Sequence, residues 1–416
     1  MIGRALLLAT AVALSASAAS AIEPIGDKGF NVQTSSDLKT LTPDNFYDVV
    51  VPAAKKEGTV VLFDFAASFE PLFRDKLLPA FEAKYGVTVD YQRGQGDAAT
   101  QQLVATYNAG AAAPFDVMFV SAGTVAQLNK SDAVARIPLN RLLPNALPID
   151  EEIATTVEGI RHGGNYLPFH RNQTSIVYDS RAIATADVPA DAAALLAWAK
   201  QHPGKLAVTH PAKGGSGDGF MQVLMLSLIK DKDCRAKLTD FNIDAATAKA
   251  FVASDCVKPV WDYYRQIMQV AELTSGNSDT LTLVANSEAS IGTTWEDMTY
   301  DLLVRGLMPP TVRQYLLADG MVGGGDGFYL PAKATHPAAA LLLMDFLLSP
   351  ESQATKLTTN GSRSPLKGID FASLVSTEDQ ERLIPLDQFA TRAVAKVPRP
   401  IINAGKDYFQ DNLLRR

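Results

Sequence analysis

The chain has 416 residues, 47% of them hydrophobic and 20% charged, with a formal net charge of −7. That length exceeds what one hydrophobic core organises and suits two. An acidic, evenly mixed surface lacks the basic stripes that nucleic acid requires, so no nucleic-acid partner is expected.

Arg4 supplies a short positive start, residues 5–19 are uncharged and rich in Ala, Leu and Val, and Ala19-Ser20-Ala21 has the small-x-small pattern of a cleavage site. We expect a signal peptide over residues 1–21, removed after Ala21. The apolar stretch is well short of the ~20 residues that span a bilayer. No Cys follows it for lipid attachment, so a freely diffusing periplasmic protein is expected. Residues 22–45 read as a polar surface arm.

From Gly58 a strand-helix rhythm begins. Residues 59–65 (TVVLFDF) are β-branched and aromatic, a buried strand. Apolar residues at Phe69, Leu72, Phe73, Leu77 and Phe81 follow helical spacing to Tyr85, and Gly86 ends it. A strand is expected at 87–92, a helix capped by Asp97 to Asn108, a strand at 115–120, and a helix to Lys130. The segment 167–179 (LPFHRNQTSIVYD) breaks the rhythm as an extended crossing. A second α/β region follows: helix 192–200, strand 205–209, a glycine-rich turn 214–218, helix 220–229, a long helix 257–272 and strand 288–294. Strand 326–331 and helices 337–348, 350–360 and 377–384 complete the chain. Alternation of this kind implies mostly parallel sheets covered on both faces, an α/β fold.

Cys234 and Cys256 are the only cysteines. An exported pair is commonly a disulfide, and closing a loop of this size is worth about 3 kcal/mol. A redox or metal pair is the alternative, which the spacing and the lack of an adjacent His argue against.

Four stretches carry a resemblance. They are Gly58-TVVLFDFAASFEPLF, Phe115-DVMFVSAGTVAQL, Asn286-SEASIGTTW, and Gly327-FYLPAKATHPAAALLLMDFLLSPESQ followed by Gly361-SRSPL. In this order the chain resembles the type II periplasmic solute-binding proteins of ABC importers, nearest the branch for thiamine-like, polyamine, ferric and small phosphorylated or phosphonate solutes. The resemblance implies two lobes with a ligand cleft between them. Lobe 1 would be 22–167 plus 322–360, and lobe 2 would be 168–321 plus 361–416 with the C-terminal helices. It also implies a monomer that delivers a small molecule to an inner-membrane ABC permease, without cofactor or metal.

Open parallel sheets bind ligands beyond the carboxyl ends of their strands. The ligand-contact expectation therefore falls on Asp64, Ser68 and Phe69 after the first strand, Gln95 after the second, and Ser121 and Thr124 after the third. Asn172 lies on the crossing segment. Ser216 and Asp218 lie in the glycine-rich turn, whose N–H groups suit an anion. Asp326 and Tyr329 mark the return to the first lobe. Trp295 and Glu296, with Asp297 beside them, suit an organic cation, the indole face and the carboxylates acting together. A sugar or polyol stacked on Trp295 is the second choice and a small anion the third. Iron-binding relatives that the chain resembles carry Tyr-Tyr where this chain has Trp-Glu, which disfavours iron. A secreted hydrolase is the rival class. It is disfavoured because the five His residues show no ligand spacing and no G-x-S-x-G elbow occurs, although Asp64 and Glu296 are conceivable as a carboxylate pair across the cleft.

Overall fold

The computed structural model describes residues 36–149 and 151–414; the expected signal peptide lies outside them. Two sheets organise the chain. The first has five strands in the order Thr88–Arg93, Thr59–Asp64, Val117–Val120, Gly327–Tyr329, Tyr166–Pro168. Its first three strands are parallel, and Gly327–Tyr329 runs antiparallel to both its neighbours. The second is seven-stranded, in the order Ala393–Val394, Met321–Gly324, Asn172–Asp179, Ile291–Trp295, Leu206–Thr209, Glu272–Thr274, with Val312–Tyr315 also paired to Asn172–Asp179. The strand Met321–Gly324 thus belongs to the second sheet, through Gly323 opposite Gln173 and Gly324 opposite Asn172.

Each sheet has its own core. Leu62, Phe73, Phe119, Phe169, Phe328 and Leu343 are among the buried residues of one, and Ile176, Phe220, Tyr264, Ile291 and Ile402 among those of the other. The helix Pro337–Leu347 is buried on every face, as an apolar-all-round helix must be. A helix the sequence reading passed over, Phe46–Glu57, covers it. Glu57 accepts hydrogen bonds from the N–H groups of Ala338 and Ala339 at 3.2 and 2.7 Å, capping the buried helix. Asp345, the lone charge in that helix, accepts from Tyr47 Oη at 2.7 Å and from the Asn145 backbone at 2.8 Å. The supposed surface arm is in part core: Leu38 and Leu41 are buried against this layer.

Other elements shift by small margins. Gln95, not Asp97, is the N-cap residue of the helix Gly96–Asn108, with Asp97 in its first turn. The helix from Glu70 to Tyr85 holds a π-helical turn at Phe73–Leu77. The long helix expected over 257–272 ends at Ile267, and 272–274 is a strand. The glycine-rich turn is the first turn of the helix Gly215–Leu228. A Cβ on Gly217 would lie 2.1 Å from the Thr209 carbonyl oxygen, and one on Gly215 would lie 2.7 Å from the Trp295 ring. These glycines let the helix start press against the sheet. Cys234 and Cys256 form a disulfide.

Three segments run side by side where the sheets meet. Asn172 pairs with Gly324, and Arg171 exchanges backbone hydrogen bonds with Arg363 at 2.7 and 3.0 Å. Lys356, wholly buried, ties this crossing together. Its ammonium donates to the carbonyls of Phe169 (2.5 Å) and Arg363 (3.0 Å) and to Gln353 Oε1 (2.7 Å). Burial holds its pKa well below the usual lysine range.

Candidate functional site

Strand ends of the two sheets converge on a cavity of about 460 Å³. Ser68 and Phe69, which follow the first-sheet strand Thr59–Asp64, line one wall, and Asp297 and Met298, which follow the second-sheet strand Ile291–Trp295, line another. Asn360 and Ser362 close the crossing side. A larger groove of about 960 Å³ lies between Arg161 and Lys130 on one side and the helices Ala245–Val252 and Arg399–Phe409 on the other, but the sheet strands at the crossing do not end there. Placement beyond strand ends favours the first cavity.

Asp297 sits in the first turn of the helix Glu296–Val304. Its Oδ1 accepts from the Met298 N–H at 3.0 Å. Enclosure by protein pushes its carboxyl up to about 6; His170 and the Met298 N–H pull it down, and Glu296 pushes it further up. The other carboxylate lining the cavity, Asp301, is paired with Arg305 at 2.9 Å. Among the described residues Asp297 has no such side-chain partner. His170, from the crossing segment, packs at a tilt against Phe69, ring centroids 4.8 Å apart, and pairs through Nε2 with Asp326 Oδ2 at 3.1 Å. Its buried Nδ1 has no hydrogen-bond partner among the described residues.

The residues expected to touch ligand divide into two groups. Ser68 is exposed at the cavity and Phe69 is buried beneath it. Asp326 lies between the lobes' strand ends, its Oδ1 accepting from the Ala122 N–H at 2.9 Å. Asn172, at the crossing, has a buried Oδ1 without a partner among the described residues. Ser121 and Thr124 form a turn upon themselves, with Ser121 Oγ accepting from the Gly123 N–H and Thr124 Oγ1 donating to the Ser121 carbonyl. Gln95 is exposed and does not line the cavity.

In the second group the polar atoms are engaged within the chain. Asp64 accepts from Tyr91 Oη and the Ala66 N–H, each at 2.6 Å. Ser216 Oγ lies 2.7 Å from Asn277 Oδ1, which also accepts the Ser216 N–H, so the helix start is already covered against an anion. Asp218 binds Gln222 Nε2 and Lys406 Nζ, each at 2.6 Å. Tyr329 donates to Asn129 Oδ1 at 2.8 Å. Glu296 is held bidentately by Arg363, at 2.9 Å from Nε and 2.6 Å from Nη2, and also accepts the Ile384 N–H at 2.7 Å. With both Asp64 and Glu296 buried and satisfied, they form no hydrolytic pair. Trp295 is 8% exposed, and one of its faces is covered by Lys396.

Sequence reading passed over three residues: His170, Glu158 and Lys396. His170 carried a signal, being a histidine in the middle of the crossing segment. Lys396 carried none, since its proximity to Trp295 arises only from the C-terminal strand. Among the described residues no group of three His, Cys, Asp or Glu is placed to hold a metal ion, and no helix is long and apolar enough to cross a membrane.

A family described as bacterial extracellular solute-binding protein matches residues 76–379, more than half of the chain. The protein YnjB of Escherichia coli K12 is 26% identical over 230 residues, 53% of this chain and 54% of that relative, so the match spans about half the relative's length. Solved structures share the fold. An extracellular solute-binding protein from Bordetella parapertussis is 13% identical, with a TM-score of 0.66 over 87% of this chain and 99% of that one. The spermidine/putrescine ABC transporter substrate-binding protein PotD from Streptococcus pneumoniae, also 13% identical, has a TM-score of 0.62 over 86% and 98%.

Proposed function

The chain belongs to the bacterial extracellular solute-binding proteins, a family of binders and not of enzymes, and from that premise we propose that it captures a small organic cation between two lobes. It acts as a monomer in the periplasm and delivers the solute to the permease of an ABC importer. The lobes follow the two sheets, and closure is a hinge motion at the Arg171–Arg363 and Asn172–Gly324 crossing.

The observation that carries the cationic reading is the unpaired Asp297 carboxylate at the junction of the strand ends. Phe69 supplies an apolar wall opposite it. A carboxylate partly enclosed by protein and without a charged partner is relieved by a cation. The role first given to Glu296 passes one residue along, because Glu296 is already matched by Arg363. That PotD is a spermidine/putrescine binder of the same fold is consistent with a cationic solute.

Isothermal titration and thermal shift against organic cations, neutral sugars and small anions test the reading. A native-state binder raises the unfolding midpoint. Cations are expected to bind wild type and to be lost in Asp297→Asn. Binding of sugars or anions alone, unaffected by that substitution, overturns the cationic reading.

A further inference from the structure

Trp295, expected to offer its face to a ligand cation, already has one. Lys396 Nζ lies 5.3 Å from the centroid of its ring and donates to Glu158 Oε2 at 2.6 Å. The lysine side chain is only 3% exposed. Arg399 Nη2 reaches the same carboxylate oxygen at 3.0 Å. An aromatic face beside a carboxylate is the chemistry that an alkylammonium ligand seeks. Here the chain supplies the ammonium itself.

The arrangement is built, not incidental. The strand Ala393–Val394 pairs with Met321–Val322, and the Val397 N–H donates to Gln222 Oε1 at 3.1 Å, so Lys396 is fixed from both sides. Glu158 stands at a positive φ of 51°, in a turn whose Gly159 carbonyl accepts the Arg399 N–H at 3.0 Å. Opposite it, a Cβ on Gly324 would fall 1.5 Å from Glu158 Oε1, so the glycine is required for the carboxylate to reach the crossing. His170 touches both this place and Phe69, which lines the cavity of Asp297. It lines the small space with Glu158 and Lys396, while its ring packs on Phe69.

Taken together, Glu158 is matched by Lys396 and Arg399, Glu296 by Arg363 and Asp301 by Arg305, while Asp326 is hydrogen-bonded to His170 and the Ala122 N–H. Of the two carboxylates lining the cavity, Asp297 is the one without an ion-pair partner among the described residues. We infer that Lys396 is a specificity-determining residue: as a tethered cation it fills the second ammonium position of the cleft, so the site accepts a solute with a single positive charge and excludes α,ω-diamines and longer polyamines. A second ammonium entering toward Trp295 meets a fixed like charge and no open carboxylate, and gives up its hydration for neither. This rests on the reading that Asp297 receives the cation.

The test is isothermal titration of the full mature chain with n-alkylammonium ions from propyl to hexyl and with the diamines of the same lengths. Wild type is expected to bind monoamines at least about tenfold more tightly than the matching diamines. Lys396→Met, which keeps the length and removes the charge, is expected to shrink that ratio by about tenfold, chiefly by a gain in diamine affinity. Should that variant fail to fold, Lys396→Gln replaces it, and the wild-type ratio decides independently. Wild type binding diamines as tightly as monoamines, or a ratio unmoved by both Lys396 variants, overturns the assignment while leaving Asp297 its cation. If no amine binds and Asp297→Asn changes nothing, the cationic reading itself falls, and the role of Lys396 with it.

Discussion

Arg363 grips Glu296 through Nε at 2.9 Å and Nη2 at 2.6 Å, both side chains almost wholly buried. The pair joins the helix that begins at Glu296 to the crossing, because the Arg363 backbone is bonded to Arg171. Truncating one member strands the other. Glu296→Ala or Arg363→Ala is therefore expected to cost about 3–5 kcal/mol in denaturant unfolding, and the double variant less than the sum. Binding in folded Glu296→Gln should retain its preference for cations. A loss of cation binding without a loss of stability would return Glu296 to the ligand site.

Asp297 carries the opposite signature. Its carboxyl is pushed up to about 6 in the folded protein, above the ordinary value near 3.9 of an unfolded chain. Its charge thus opposes folding above about pH 6, and the cost disappears as pH falls toward 4. Asp297→Asn is expected to stabilise the ligand-free protein by about 1–2 kcal/mol at pH 8, with no gain below pH 4, while removing cation affinity. Denaturant titrations across that range, set beside affinities for a monoamine, check both halves. Wild-type cation affinity should weaken as pH falls below about 6, since the protonated acid offers no charge.

His162 works against it in acid. Burial holds its imidazole down to about 4, with Nε2 near the Ile153 carbonyl and Nδ1 accepting the Gly164 N–H. The unfolded chain takes up a proton near pH 6.5 and the folded one only near 4, so its stabilising share is present above about 6.5 and lost through this window. Replacing it with a neutral residue such as Gln should flatten the acid limb of the stability profile. The same limb in the variant as in wild type would show that His162 is not its cause.

The disulfide ties the helix Lys232–Lys237 to the residues preceding Lys258–Ile267 and lies away from the cavity. Replacing Cys234 and Cys256 together by Ala is expected to lower stability by about 3 kcal/mol on chain-entropy grounds. Ligand affinity at 25 °C should be unchanged. A matching loss of affinity would place the staple in the coupling between lobes.

Much of the architecture was legible because its signals are local. The β-branched run 59–64 and the periodic apolar stripe from Phe69 to Phe81 each name their own element. The helix Phe46–Glu57 escaped because its buried face, Phe46, Val50 and Ala54, is narrow and interrupted by Pro52 and by Lys55-Lys56. Trp295, Glu296 and Asp297 mark a strand end from sequence alone, but which carboxylate is free depends on Arg363, in a segment that sequence spacing does not connect to it. The same holds for Trp295. Its availability is decided by Lys396, whose approach depends on a two-residue strand with no periodic signature of its own.

The order of strands in the first sheet has a consequence in time. Tyr166–Pro168 reaches that sheet only through Gly327–Tyr329, which is also its antiparallel neighbour to Val117–Val120. The chain up to residue 329 must therefore be available before the N-terminal sheet can be completed, although its first three strands end by residue 120. Pairing over such separations is slow, because the intervening loop must be ordered first. Until Gly327–Tyr329 pairs, Val117–Val120 leaves an open sheet edge, so completion of the first sheet waits on a segment that follows most of the second.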